Sequence, residues 1–89
     1  MSEGKARGGP ELDPDAALGA AIADLRGRVQ LSPAELGRRA ELDESQVVAI
    51  EAGQLEPTWG VLRRIAYALE VGLPELLEEA ERRAGRWPQ

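Results

Sequence analysis

LSPAELGRRAELDESQVVAIEAG, residues 31–53, holds two short helices and the turn between them. Ser32-Pro33-Ala34-Glu35 is a capping box with proline at the first helical position. The serine hydroxyl accepts from the third amide, and the glutamate reaches back to the cap amide. Leu36 and Ala40, four apart, supply the inward face of that helix. Asp43-Glu44-Ser45-Gln46 repeats the pattern, with Asp43 as cap and Gln46 at the third position. Val47 and Ile50 then turn inward, and Gly53 suits a left-handed stop. The spacing predicts one helix over 32–39 and a second over about 43–52, joined by a tight turn.

Working outward, Asp13-Pro14 offers an N-cap and a first-turn proline. Leu18, Ile22, Leu25 and Val29 follow at helical spacing, and Gly27 predicts closure around 27–29. On the other side, Gln54-Leu55-Glu56-Pro57 reads as a loop and Thr58 as the cap of a fourth helix. Its inward residues are Leu62, Ile65, Ala66 and Leu69, and Val71-Gly72-Leu73-Pro74 breaks it. A fifth helix over about 73–84 carries Leu73, Leu76, Leu77 and Ala80. No segment alternates with a period of two for long enough to be a strand. The expected fold is all-α, a compact five-helix domain over 13–84, with a tail rich in Gly, Pro and charge at 1–12 and a short one at 85–89.

Composition narrows the chemistry. The 89 residues contain no cysteine and no histidine, which removes disulfides, thiol nucleophiles and the commonest general base and metal ligand. The carboxylates have cap or solvent roles, so no nucleophile–base pair is visible, and no enzyme, cofactor or metal is expected. No apolar run approaches the roughly 20 residues of a membrane span, and the first 15 residues lack a signal-peptide core, so a cytoplasmic protein is expected. The net charge is −5, and residues 18–77 alone hold six arginines against nine acids. Such a field opposes generic binding to nucleic acid.

Two short helices at this spacing are a helix-turn-helix candidate. The surrounding order LGAAIADLR, LSPAELGRRA, SQVVAIEAG, Pro57, LRRIAYALEVGLPELL resembles the phage-repressor (Cro/C1-type, xenobiotic-response-element) helix-turn-helix family over about residues 18–77. Leu25-Arg26, Leu31-Ser32, Glu35-Leu36, Ile50-Glu51 with Gly53, and the closing Leu69, Val71, Leu73, Leu76, Leu77 carry the likeness. The departures fall mainly on the surface that would face DNA. Pro33 stands where a donor is usual, Gly37 replaces a small alanine, and Glu41 and Gln30 stand where the family has glycine.

The resemblance implies a DNA-binding transcriptional regulator whose partners are double-stranded DNA and a second copy of the chain, with helix three in the major groove. It implies a structural ion pair between Arg26 and Glu51, and backbone contacts from Ser32, Gln54 and Thr58. The residues themselves extend this. Ser45, Gln46, Val48 and Ala49 are the helix-three positions least needed for a core. Gln46 suits adenine, Glu44 cytosine N4, and Val48 or Ala49 a thymine methyl. Arg38 and Arg39, with Arg28, Arg63 and Arg64, are either phosphate donors or solvated partners of nearby acids. Asp43 and Glu44 complement the positive start of helix three, which leaves less for a phosphate there. A rival reading places a basic protein partner on the acidic helix three. Trp59 and Trp87 read as packing or interface residues, and Leu76-Leu77 with Ala80 and Ala84 as a dimer seam.

Overall fold

Side chains that take up free amides start the helices. In the computed structural model, which describes residues 13–84, Asp13 Oδ1 accepts from Ala16 N at 2.8 Å and opens α1, Pro14–Arg28. Ser32 Oγ accepts from Glu35 N at 3.0 Å and Glu35 Oε1 accepts from Ser32 N at 2.8 Å, opening α2, Pro33–Ala40. At α3, Glu44–Glu51, Gln46 Oε1 accepts from Asp43 N at 2.9 Å. Thr58 Oγ1 accepts from Val61 N at 3.1 Å to open α4, Trp59–Ala68, and Glu75 Oε1 accepts from Gly72 N at 2.8 Å to open α5, Leu73–Ala84. Among the described residues there is no strand, so the fold is all-α. The expected tails, 1–12 and 85–89, and with them Trp87, lie outside the described residues.

Three of the connections turn through left-handed backbone on residues other than glycine. Gln30, Glu41 and Glu70 have φ of 62°, 62° and 61°. Only Gly53, at 77°, has the residue such a turn favours.

The largest fully buried side chains are Ile22, Leu36, Val47, Ile65, Leu69 and Leu76, drawn from all five helices. α1 packs most extensively on α5 and also holds α3, while α2 packs on α3 and α4. The α1–α3 contact is backbone against backbone. A Cβ on Gly19 would lie 2.4 Å from both Ile50 O and Glu51 O. The α2–α3 turn is equally close, since a Cβ on Gly37 would lie 2.6 Å from Leu42 O. Gly37 therefore fits this turn where the family's alanine would not.

The packing corrects two expectations. Val29 is 48% exposed, because α1 ends at Arg28 and Val29 is its C-cap; Ala17 and Ala21 complete the buried stripe instead. Leu76 is fully buried in the core and Leu77 is exposed, so the two do not form a common seam on the surface.

One buried charge was not foreseen. Glu79, 8% exposed, accepts from Arg82 Nη2 at 2.6 Å and from Arg28 Nη2 and Arg83 Nη1 at 3.3 Å each. Asp24 pairs with Arg28 at 2.7 Å and Arg83 at 3.1 Å. The five charges tie the end of α1 to α5. Hydrogen bonding to Arg82, then to Arg83, holds the Glu79 carboxyl below its ordinary range against desolvation.

Candidate nucleic-acid interface

α3 is gripped from one side only. Val47 and Ile50 are buried, and the last residue, Glu51, is clamped by Arg26. Arg26 Nε donates to Glu51 Oε2 at 2.7 Å and Nη2 to Oε1 at 3.0 Å, while Nη1 donates to Leu31 O at 2.9 Å. One guanidinium thus joins α1, the end of α3 and the entry to α2. A fork-to-fork pair of this kind fixes geometry as well as adding energy. The Glu51 hydrogen bond also raises the Arg26 pKa above its ordinary value, against desolvation.

The opposite side of α3 faces solvent. Glu44, Ser45, Val48 and Ala49, with Gln54 from the next turn, line one shallow depression. Val48 is half exposed, a methyl-bearing surface in a polar rim. Five of the expected site residues are therefore gathered on one surface, and that surface holds an acid and no base. Gln46 stands apart from them. It is exposed, but its amide oxygen serves the Asp43 cap, so a bidentate hold on adenine requires that cap bond to break.

Ser32 and Thr58, both exposed N-caps, use their oxygens as acceptors inside the protein. Each hydroxyl hydrogen is left to donate outward. The arginines separate into two groups. Arg28 belongs to the Asp24–Glu79 network, and Arg64 Nε donates to Ala40 O at 2.8 Å, closing the end of α2. Arg38, Arg39 and Arg63 make no ion pair or side-chain hydrogen bond among the described residues. Arg39 does not line the α3 depression; it lines a second one with Glu41, Gly60, Arg63, Arg64 and Tyr67.

The sequence profile of a family described as "Helix-turn-helix domain" matches residues 17–80. The chain belongs to this helix-turn-helix family, of the Cro/C1 type. Among solved structures, this helix-turn-helix domain is similar to the restriction-modification controller protein C.AhdI from Aeromonas hydrophila. Identity there is 30%, over 68% of this chain and 92% of that one, with a TM-score of 0.67. The clp gene regulator ClgR from C. glutamicum matches in fold, with 24% identity, a TM-score of 0.81, and coverage of 88% of this chain and 100% of that one. ComR from Streptococcus suis aligns at 28% identity and a TM-score of 0.65, over 84% of this chain and 24% of its own. No curated protein matches the sequence.

Within the helix-turn-helix domain, of the four acids in and just before α3, Glu51 alone has its carboxylate paired among the described residues, by Arg26. Asp43 stands at the N-cap as expected, but its carboxylate makes no cap hydrogen bond and only its amide is bonded, to Gln46. Glu41 occupies the left-handed turn, and Glu44 lies in the α3 depression. What the sequence did not reveal is the separation of Arg38 from Arg39. Their adjacency on a helix, about 100° apart, was the available signal. No helix among the described residues is long and apolar enough to cross a membrane.

Proposed function

We propose that the chain is a DNA-binding transcription regulator that lays α3 in the major groove. The observation that carries this reading is an α3 fixed along one side by Val47, Ile50 and the Arg26–Glu51 clamp, and bare along the other, in a chain of the helix-turn-helix family. Helix-turn-helix proteins read bases with that bare face while flanking groups hold the phosphates. Two similar solved structures are named as a gene regulator and a controller protein, which supports the same assignment.

Ser45, Val48 and Ala49 are the base-facing side chains, Gln54 flanks them, and Glu44 accepts from a cytosine amino group. Gln46 reads a base through its Nε2 donor while its oxygen keeps the cap. Ser32, Thr58 and Arg38 meet the backbone, with the free amides at the start of α4 beside Thr58. Arg39 adds to the attractive field from the neighbouring depression. With a net charge of −5, the affinity is modest and long-range steering is weak.

Charge exchange on the two helices tests this. Arg38→Glu removes binding to an operator-containing duplex, and Glu44→Gln leaves it intact or strengthens it. Loss of binding in Glu44→Gln together with full binding in Arg38→Glu would refute the assignment.

A further inference from the structure

The second depression, between the end of α2 and α4, has no ligand so far. Its charge runs against that of the chain. Residues 18–77 hold six arginines against nine acids. Here Arg39, Arg63 and Arg64 surround a single acid, Glu41. Among the described residues Arg39 and Arg63 make no ion pair or side-chain hydrogen bond, while Arg64 is tied through Nε to Ala40 O at 2.8 Å. That tie fixes one guanidinium at the rim in advance of any ligand.

The wall beside these cations is apolar. Tyr67 is 85% exposed and Trp59 65%, the two most exposed large apolar side chains among the described residues. Trp59, Arg63 and Tyr67 follow at four-residue intervals and share one face of α4. Gly60 leaves the floor bare, since a Cβ there would meet nothing within 4 Å.

We infer that this depression docks an acidic peptide segment of a partner protein, one that carries an aliphatic or aromatic side chain between carboxylates. The apolar side chain lies on the Gly60 floor against the Tyr67 ring, and the flanking carboxylates pair with the three arginines. A planar guanidinium holds a carboxylate by two parallel bonds. Tyrosine and arginine together supply the desolvated anchors that protein interfaces favour. Glu41 adds an acceptor that a peptide N–H satisfies.

The same cations would attract a nucleic acid, but two observations favour the peptide. Single strands bind along a basic groove that tracks their backbone; this basic patch is one short depression with Glu41 inside it. The net charge of −5 also repels a long polyanion, whereas contacts with a few carboxylates act within the screening length.

Selection of short random peptides displayed on phage, against the full wild-type chain, gives the test. Enriched peptides are expected to carry Asp or Glu on both sides of a Leu, Phe or Trp. Their affinities, measured by fluorescence anisotropy on synthetic peptides, are expected to fall by about 10-fold or more in Arg63→Glu and in Tyr67→Ala. Gly60→Leu, which fills the floor without changing charge, is expected to do the same. All three keep the helical circular dichroism of wild type, and Tyr67→Ala binds mixed-sequence duplex DNA as wild type does. The inference is overturned if no peptide is enriched, if the enriched peptides carry no excess of acid, or if the variants bind them like wild type. Oligothymidine binding that falls in Tyr67→Ala while peptide binding does not would also overturn it, and would give the depression to a nucleic acid. Peptide binding is read without DNA, so its failure leaves the reading of DNA by α3 untouched.

Discussion

Adding one methyl group at Gly19 is expected to push the reading helix off its support. The new carbon would lie 2.4 Å from two carbonyl oxygens in the last turn of α3, Ile50 O and Glu51 O. Ordinary carbon–oxygen contacts stand at about 3.3–3.6 Å, so α1 and α3 must part by roughly 1 Å. Neither oxygen belongs to a side chain that can rotate away. Overpacking of this kind costs about 1–3 kcal/mol, after a gain of about 0.5–1 kcal/mol from replacing a helical glycine by alanine. Gly27 lies in the same helix, and a Cβ there meets nothing within 4 Å. Gly27→Ala should therefore show the gain alone. In a domain this size 1 kcal/mol moves the melting temperature by about 4–8 °C. Thermal unfolding followed by circular dichroism should show Gly19→Ala melting below wild type and Gly27→Ala above it. Gly19→Ala is also expected to bind operator more weakly at temperatures where it remains folded, because the displaced helix carries the site. A Gly19→Ala protein as stable as wild type would refute the close α1–α3 contact.

Other substitutions probe other joints. Glu51→Gln or Arg26→Ala breaks the clamp between α1, α2 and α3 and should cost about 2–4 kcal/mol in urea unfolding, with the double variant costing little more than one single. Glu41→Gly relieves a left-handed residue at φ 62° and should stabilise by about 0.5–1 kcal/mol, while raising DNA affinity by removing an acid beside α3. Acid should weaken the fold. The Glu35 carboxyl is held below its ordinary value by the Ser32 amide and then the Ser32 side chain, and Glu79 by Arg82 and then Arg83. Both depressed groups favour the charged, folded form, so their contribution is complete above the ordinary carboxylate range and is lost as pH falls through their lower folded values. Unfolding midpoints measured across that range should fall with pH, and Glu79→Gln should flatten the fall.

Much of the fold is written in local signals. Ser32 with Glu35, Asp43 with Gln46, and Thr58 before Trp59 mark three helix starts because a cap is a contact over three residues. Leu62, Ile65, Ala66 and Leu69 show α4's buried side by spacing alone. Val29 misled because it continues a helical period one residue beyond the helix that produced it. Glu79 illustrates the other limit. Its links to Arg82 and Arg83 lie within one turn and are readable, but Arg28 is 51 residues away, and only packing brings it near. The site divides in the same way. Glu44, Ser45, Val48 and Ala49 share a face by helical periodicity, and Gln54 joins them through the Gly53 turn. Arg39's place among α4 residues depends on the packing of α2 against α4, which no short stretch of sequence encodes.

Fluorescence anisotropy of the full chain on mixed-sequence duplex DNA, at low and then rising salt, tests the central claim most directly. The account predicts binding at low salt that weakens along a straight line in log K against log salt. Its slope should be shallow, about −0.9 for each phosphate neutralised, with Arg38 among the few cations that contribute. No binding at low salt, to mixed duplex or to any sequence selected from a random pool, would contradict it.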